Sequence, residues 1–317
     1  MSPLSQKERE NALNEVRILA SIRHPNVIGY KEAFIQDDEK CLNIVMEYAS
    51  DGDVYQKIIN HQKNHTFFDE DDVWRIFIQM TRGLKALHKL RILHRDMKSA
   101  NIFLHKEEGH DTPYVVKLGD LNVSKVAKGA AGLLYTQTGT PYYASPEVWK
   151  DQPYDSKSDV WSLGCVLYEI LALQPPFRAQ DMDGLFKKVL KGIYPKIPIH
   201  YSEEINKMLK RLISVNPNQR PNCNQILQLD IVVKYIKRLG IPEEDPTDSV
   251  INEVPENTPV GTQQQSQDSK AQLLSTIRLP NNLKLLSDRL PKSKYEEGGA
   301  AETQHNSLMR ARGRVNP

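Results

Sequence analysis

Residues 92–104 read ILHRDMKSANIFL, a polar stretch held between two short apolar runs. A phosphoryl-transfer site needs a group that accepts a hydroxyl proton, oxygen ligands for Mg²⁺, and a cation near the moving phosphoryl group. Asp96 can accept the proton, Lys98 can neutralise the phosphoryl group, and the amide oxygen of Asn101 can ligate the metal. The pattern H-R-D-x-x-x-x-N therefore predicts phosphotransfer chemistry, although these residues alone are also compatible with an ion-paired turn between two strands.

A second acidic residue follows in VVKLGDLN, residues 115–122. The apolar VVKL run predicts the second arm of a hairpin whose first arm is IFL. On that hairpin Asp120 lies on the strand that faces Asn101, so it is predicted as a second oxygen ligand for Mg²⁺. The agreement between two separate segments favours a phosphotransfer site over a simple turn.

Composition excludes several classes of function. The 317 residues carry 42 Lys and Arg against 40 Asp and Glu, so the net charge of +2 offers no global field for nucleic acid or an acidic membrane. We therefore expect neither a nucleic-acid nor a membrane partner. The cysteines, Cys41, Cys165 and Cys223, form no CxxC pair, and the first ten residues contain no apolar signal region. A reducing, cytoplasmic compartment is predicted.

Apolar periodicity predicts an α+β fold in which a few strands come first and helices follow. The sequence predicts a helix over Ser5–Ile22, strands over Val27–Ile35 and Leu42–Tyr48, and a long helix over Asp69–Lys89. Four further helices are predicted over 158–172, 181–191, 202–214 and 223–238.

The C-terminal part of the sequence differs in composition. Residues 240–317 contain several prolines, a QQQ run and a single aromatic residue, Tyr295, so this low-complexity segment is predicted to be a disordered tail. Within it, residues 273–290 regain regularly spaced leucines. They are predicted either to dock on a partner or on the folded domain, or to be a solvated linker. Residues 1–239 are predicted to form the folded domain.

Several motifs, in order, resemble a known family. HRDMKSAN, DLN, GTPYYASPE (139–147), DVWSLGC (159–165) and NPNQRP (216–221) resemble the C-terminal lobe of eukaryotic protein kinases. The opening SPLSQKERENALNEVRILASIRHPNVIGYKEAF, the segment VMEYASDGDVY and the KSANIFL ending resemble, more narrowly, the NIMA-related (Nek) serine/threonine kinases. The resemblance implies a kinase-like fold, with an N-lobe over 1–49 and a mainly helical C-lobe over 50–239. It also implies ATP and Mg²⁺ as cofactors and protein Ser/Thr side chains as substrates. A centrosomal, basal-body or ciliary location is implied in the same way, whereas the oligomeric state is not.

The resemblance implies residues that contact ATP. It places Met46 at the gatekeeper position, the backbone of Glu47 and Ala49 in the hinge that bonds adenine, Asp53 near the ribose, and Phe103 under the base. In the same comparison Asp96 and Lys98 are catalytic, and Asn101 and Asp120 hold the metal.

Other matches are structural. A hydrophobic stack that joins the two lobes is matched by Leu19, Tyr30, His94 and Leu121. Asp159 matches the residue that anchors this stack beneath the catalytic loop. Because a lone His beside a strand is more often a core residue than a catalyst, His94 is predicted to be a support. Glu147 and Arg220 match a buried ion pair on the substrate side.

The resemblance identifies residues 121–147 as the activation loop, and it implies roles for three threonines in this loop. Thr136 and Thr138 are predicted phosphorylation sites, because a phosphate there could reach Arg95 and order the loop, and the resemblance to the family favours Thr136. The alternative is that both are solvated loop hydroxyls. Thr140 matches the position that hydrogen-bonds Asp96 and its neighbouring lysine and shapes the pocket for a Ser or Thr substrate.

Two of the departures from the family pattern bear on the site. The usual DFG reads DLN, in which Asn122 is the non-glycine residue that best tolerates a left-handed backbone. The second departure concerns the Gly-rich loop and the strand lysine that precede helix αC in kinases. Neither occurs in this sequence, so Glu15, which matches the αC glutamate, has no lysine to pair with.

This second departure predicts a truncated N-lobe that consists of helix αC and two strands. Losing one preorganised donor or cation commonly costs about 10²-fold in rate, so the chain is predicted to be a weak or inactive catalyst. One hypothesis is that the sequence is a fragment or a truncated gene model of a Nek-type kinase, with Met1 an internal methionine. The competing hypothesis is a pseudokinase that acts as a scaffold. Retention of Asp96, Lys98, Asn101 and Asp120 favours the first.

Overall fold

The computed structural model describes residues 16–36, 41–106, 114–121 and 141–243, and the structural statements below refer to these ranges. Its first helix, α1, is described over 16–21. Val16, Leu19 and the following Ile22 are all buried, as their three-residue spacing on one helix face requires. The predicted helix Ser5–Ile22 is therefore confirmed over its last turns, and residues 5–15 lie outside the described ranges.

Two antiparallel strands, β1 (Tyr30–Gln36) and β2 (Cys41–Met46), form the sheet of the small lobe. Both predicted strands are confirmed, but each is shorter than predicted. The first begins late because the residues before it bond elsewhere: the Ile28 N–H donates to the Leu118 carbonyl over 2.8 Å, beside a parallel bridge from Val27 to Leu118. These bonds join the small lobe to the next sheet.

Two helices follow, α2 (Val54–Asn64) and α3 (Glu70–Lys89). The carboxylate of Asp53 caps α2 by accepting the Gln56 N–H, and Asp69 caps α3 in the same manner. The predicted helix Asp69–Lys89 is thus confirmed, with its first residue serving as the cap. Its predicted apolar face is buried, at Val73, Ile76, Phe77, Met80, Leu84 and Leu87.

A short 3₁₀ turn (Ser99–Asn101) leads into a second hairpin, formed by β3 (Ile102–His105) and β4 (Val115–Leu118). The strands are antiparallel, with Ile102 paired to Leu118, so the predicted hairpin is confirmed. This register brings the residue before β3 next to the residue after β4: the Gly119 N–H donates to the Asn101 carbonyl over 3.0 Å.

Helices make up most of the large lobe. They are α4 (Pro146–Trp149), α5 (Ser156–Ala172), α6 (Met182–Lys191), α7 (Glu203–Leu212), α8 (Cys223–Leu227) and α9 (Asp230–Arg238). A second 3₁₀ turn spans Pro217–Gln219. Helix α5 starts with a capping box between Asp155 and Ser158 and is buried on all sides from Ser158 to Leu171. It forms the centre of the lobe, between α3 and α7.

One predicted helix is wrong as drawn. The range 223–238 is two helices, because Leu229 has an extended backbone, with φ −65° and ψ 134°. Its carbonyl accepts the N–H groups of Val232 and Val233 and so begins a new helix. Both pieces remain amphipathic, and Ile226 and Val232 are fully buried on either side of the break. Within the described ranges, none of the helices has the length and hydropathy that a bilayer span requires.

Candidate active site

The loop before the second hairpin is fixed from below by one buried carboxylate. Asp159, near the start of α5, accepts the backbone N–H groups of His94 and Arg95, each over 3.0 Å. Arg95 has φ +64°, a left-handed conformation that costs a non-glycine residue energy and persists only where the surroundings impose it. The anchoring role that the resemblance implies for Asp159 is confirmed by these two bonds.

The predicted phosphotransfer residues lie together. Lys98 Nζ is 2.9 Å from Asp96 Oδ2. The Nδ2 group of Asn101 donates to the Asp96 carbonyl over 2.9 Å and lies 3.3 Å from Asp96 Oδ2. It is also 3.4 Å from Asp120 Oδ2. Asn101 therefore connects the loop that carries Asp96 to the residue that follows the hairpin, Asp120.

The two carboxylates of this cluster have different environments. Asp96 is buried, whereas Asp120 is exposed at the end of β4. Asp120 also has φ +52°, a conformation that Asp tolerates better than most residues. With two carboxylates and one ammonium within a few ångströms, the cluster has an excess of negative charge on its open side. Such a site favours a cation.

Mg²⁺ fits the donor atoms of this cluster. Because Asn101 Nδ2 is held by its neighbours, Oδ1 is the atom that the side chain would offer to a cation, and the exposed Asp120 carboxylate would supply a second oxygen. Among the described residues no three His, Cys, Asp or Glu side chains form a metal cage. Mg²⁺ is usually held by one or two carboxylates together with substrate phosphates, so two protein ligands agree with a site completed by a nucleotide.

The predicted adenine-binding residues follow β2. The backbone N–H of Glu47, directly after Met46, donates to the Gly29 carbonyl over 2.7 Å. The Glu47 carboxylate accepts the Gly29 N–H and pairs with the buried Lys117 over 2.8 Å. Burial alone would raise the pKa of Glu47, but the bonds from Lys117 and Gly29 outweigh it and hold the pKa below its ordinary value. The hinge segment is thus tied to both sheets.

Phe103 and Asp53 are brought together by the backbone. They form an isolated antiparallel bridge, and the Leu104 N–H donates to the Gly52 carbonyl over 2.8 Å. The Phe103 ring lies against Gly119, where an added Cβ would come within 2.5 Å of the ring edge. The ring of Phe103, the predicted floor under the base, therefore packs against the residue that precedes Asp120.

Three residues of the stack predicted to join the lobes, Leu19, Tyr30 and Leu121, belong to a single hydrophobic core, and the fourth, His94, is fully buried. The His94 ring is fully enclosed, and burial lowers its pKa, so it is neutral at physiological pH. Its Nε2 atom has no hydrogen-bond partner among the described residues. These observations agree with a supporting role for His94.

A second histidine at this anchor was missed by the sequence analysis. His88 Nε2, in the last turn of α3, is 2.8 Å from Asp159 Oδ2, and the Tyr154 hydroxyl donates to Asp159 Oδ1 over 2.5 Å. Burial would lower the pKa of His88, but the bonds to Asp159 and to the Cys223 sulfur, 3.7 Å from Nδ1, raise it to about 10. The only signal in the sequence was a basic residue at a helix C-terminus.

The substrate-side ion pair is present. Arg220 forms a bidentate pair with Glu147, over 2.7 Å from Nη1 to Oε1 and 2.9 Å from Nη2 to Oε2. Ser158 Oγ donates to the same carboxylate over 2.6 Å, and the guanidinium lies 5.0 Å from the centroid of the Trp161 ring. Burial alone would raise the pKa of Glu147, but the Arg220 and Ser158 contacts hold it below its ordinary value.

A second contact on this side was not predicted. The Tyr143 hydroxyl donates to Glu169 Oε2 over 2.8 Å, and the Ser162 hydroxyl donates to the Tyr143 carbonyl over 2.9 Å. Burial raises the pKa of Glu169. In the sequence Glu169 only interrupted an apolar run, whereas in the fold it fixes the segment before α4 to α5.

Several predicted residues lie outside the described ranges. They are Glu15, Thr136, Thr138 and Thr140, together with the tail from residue 244. Their roles remain predictions.

Comparison with known proteins agrees with this architecture. The family described as protein kinase domain matches residues 2–232. The chain is 41% identical over 251 residues to the probable serine/threonine-protein kinase nek3 of Dictyostelium discoideum. This alignment covers 79% of the chain and 22% of that relative. It is 40% identical over 243 residues to the serine/threonine-protein kinase Nek1 of Mus musculus. That alignment covers 77% of the chain and 19% of the relative. For the serine/threonine-protein kinase Nek2 of Homo sapiens, the identity is 33% over 265 residues, and the alignment covers 78% of the chain and 58% of the relative. The chain thus spans from about a fifth to less than two thirds of these relatives.

Proposed function

The chain belongs to the protein kinase family, and within it to the NIMA-related serine/threonine kinases, and from this membership we propose that its site transfers the γ-phosphoryl group of ATP to protein Ser and Thr hydroxyls. The observation that carries the proposal is the hydrogen-bonded cluster of Asp96, Lys98, Asn101 and Asp120. These side chains supply the base, the cation and the metal ligands that phosphoryl transfer uses.

Asp96 is the base in this proposal. Its carboxylate accepts the proton of the attacking hydroxyl, and its contacts with Lys98 and Asn101 fix its orientation. Lys98, whose side chain is about one third exposed, extends from this carboxylate toward solvent and neutralises charge on the transferred group. Asn101 and Asp120 hold Mg²⁺, which offsets the negative charge of the ATP phosphates.

The nucleotide is proposed to bind at the boundary between the lobes. The backbone of Glu47 and Ala49, after the gatekeeper Met46, bonds the adenine, and Phe103 lies beneath it. Asp53 lies near the ribose; its side chain is already held by the first turn of α2. Glu15 is proposed to lie on the phosphate side.

Catalysis by this chain is proposed to be slow. Its 317 residues contain no Gly-rich loop and no lysine in a VAIK-like segment, and kinases use both to cover and position the phosphates. The alternative to this proposal is a pseudokinase scaffold that presents the large lobe to other proteins. Phosphate transfer to a generic basic protein, measured for the wild type and for Asp96→Asn, separates the two. If the wild type transfers phosphate and Asp96→Asn does not, the result supports the kinase. If the wild type transfers no phosphate, the result supports the scaffold.

Regulation and location complete the proposal. Phosphorylation of Thr136 or Thr138 orders the activation loop through Arg95, and Thr140 contacts the catalytic loop and selects Ser or Thr. The leucines of 273–290 bind a protein partner. In keeping with the family, the protein acts at the centrosome, the basal body or the cilium.

A further inference from the structure

A groove on the large lobe lies apart from the residues of the phosphotransfer cluster. It has a volume of about 590 Å³ and lies between the loop after α5 and the loop after α6. Prolines line both loops: Pro175 and Pro176 follow α5, and Pro195 follows α6. The other residues used in the argument are Lys188, Lys191 and Tyr194. Its lining residues belong neither to the phosphotransfer cluster nor to the Glu147–Arg220 ion pair.

The floor of the groove is formed by packed aromatic rings. The Tyr194 ring meets Tyr168 edge-on at 5.4 Å and Phe177 edge-on at 5.9 Å, and Phe177 stacks on Trp161 at 5.5 Å. Phe177 and Trp161 are fully buried. A ligand that binds here therefore meets a preformed surface and does not have to order it.

The rim of the groove is positively charged. Arg178, Lys188 and Lys191 line it and are exposed, and no acidic side chain is among the lining residues. The Lys188 ammonium donates to the Arg178 carbonyl over 2.6 Å and so ties the two walls together. Cations gathered around an apolar, proline-lined surface favour an acidic, extended segment of polypeptide.

The chain contains a segment with this chemistry immediately after its folded part. The described chain ends at Glu243, where Arg82 Nη2 donates to the Pro242 carbonyl over 2.6 Å. Residues 244–256 read EDPTDSVINEVPE, with five acidic residues, two prolines and no Lys or Arg. We propose that this acidic segment of the same chain docks in the basic groove beside α6.

The length of the segment is compatible with this contact. Thirteen extended residues span roughly 40 Å at about 3.3 Å each. A domain of this size has a radius of gyration of roughly 17 Å, so the segment can cross a large part of its surface. Its distal acidic residues, Glu253 and Glu256, then meet the lysines of the groove, and Val254 and Pro255 pack on Tyr194 and Pro195.

Docking affects the substrate side of the lobe through α6. Phe186 of α6 contacts Trp149 of α4 with ring centroids 5.8 Å apart, and α4 carries Glu147 of the buried ion pair. The bound segment holds α6 against α4. This inference does not depend on phosphoryl transfer, since it rests on the groove and the tail alone.

Cross-linking of the full chain tests the contact. A zero-length carbodiimide joins a lysine to a carboxylate only when the two are in contact. The reaction is run on a dilute, equal mixture of ¹⁴N- and ¹⁵N-labelled protein and read by mass spectrometry. We expect links from Lys188 or Lys191 to acidic residues of 244–256, with both peptides carrying the same isotope. Absence of such links overturns the proposal. Mixed-isotope links as frequent as same-isotope links, which is what pairing between two copies gives in an equal mixture, assign the groove to a second copy and overturn it as well.

Charge reversal provides an independent check. In Lys188→Glu/Lys191→Glu, amide hydrogen exchange at Ile193 and Tyr194 should accelerate, and in the matched control Lys207→Glu/Lys210→Glu it should not. Lys191→Glu alone serves if the loss of the Lys188 bond to Arg178 disturbs folding. Adding Glu253→Lys/Glu256→Lys to the groove variant should restore protection. Equal exchange in the groove variant and the control contradicts the proposal, as does a failure of the tail reversal to restore protection.

Discussion

His88 and Asp159 form a charged pair directly beneath the loop that carries Asp96, with 2.8 Å between Nε2 and Oδ2, and its carboxylate is fully buried. Asp159 holds the backbone of the loop at the same time, so the ionisation of a residue on α3 is linked to the position of Asp96. His88 is raised in pKa to about 10, well above its unfolded value. This pair has a direct consequence for stability.

Stability should fall as the pH rises from about 6.5 to about 10. A group whose pKa is higher in the folded state binds more protons when folded, so its contribution is complete below the unfolded pKa and is lost as the pH passes the folded pKa. His88→Gln should flatten this part of the profile, measured as the free energy of unfolding in urea. The exposed His200→Gln serves as the control and should leave the slope unchanged. Parallel profiles for the wild type and His88→Gln would contradict the assignment.

Breaking the Glu147–Arg220 pair should destabilise the large lobe strongly. Glu147→Gln leaves a buried guanidinium without its charge partner, which typically costs about 3–5 kcal/mol. The exposed pair of Asp183 and Lys187 is the matched control, and Asp183→Asn should cost at most about 0.5 kcal/mol. Urea unfolding of both variants gives the comparison. Similar losses for the two would show that burial of the pair does not matter.

Gly119, which follows β4, should be required for the close packing of the Phe103 ring against the backbone. In Gly119→Ala the new Cβ would lie 2.5 Å from the ring edge, and overpacking of this kind commonly costs about 1–3 kcal/mol. Gly29→Ala is the control, because its Cβ would meet the nearest atom at an ordinary 3.4 Å. Thermal unfolding should separate the two, and Phe103→Leu should rescue Gly119→Ala in part. An unchanged melting temperature for Gly119→Ala would contradict the contact.

Asp120 should make nucleotide binding depend on Mg²⁺. In the wild type, ADP with Mg²⁺ should stabilise the chain against heat more than ADP alone, since ligands that bind only the folded state raise its stability. Asp120→Asn should remove most of this difference. The exposed Glu204→Gln outside the site should retain it. If Asp120→Asn keeps the full effect of Mg²⁺, Asp120 is not a metal ligand.

Much of the architecture could be predicted from local pattern. The long apolar face of α3 and the hairpin after ILHRDMKSANIFL produce periodic signals, and both form as predicted. The cluster of Asp96, Lys98 and Asn101 is close in sequence, so the hairpin register alone is enough to add Asp120.

Contacts between distant segments could not be predicted in this way. His88 reaches Asp159 only because α3 packs beside α5, and Tyr143 reaches Glu169 across the same lobe. Neither pair has a local pattern. The break at Leu229 was missed for a related reason: apolar residues continue on both sides of it, and only the backbone turns.

The central claim is that Asp96 is the base of a working phosphotransfer site. The most direct test measures Mg²⁺-dependent transfer of labelled phosphate from ATP to Ser and Thr of a basic protein by the full chain. Asp96→Asn is compared under the same conditions, with ATP binding measured for both. We predict slow transfer by the wild type and a loss of about 10²-fold or more in Asp96→Asn with ATP binding retained. Equal rates for the two proteins, or no transfer by a wild type that binds ATP, would contradict the account.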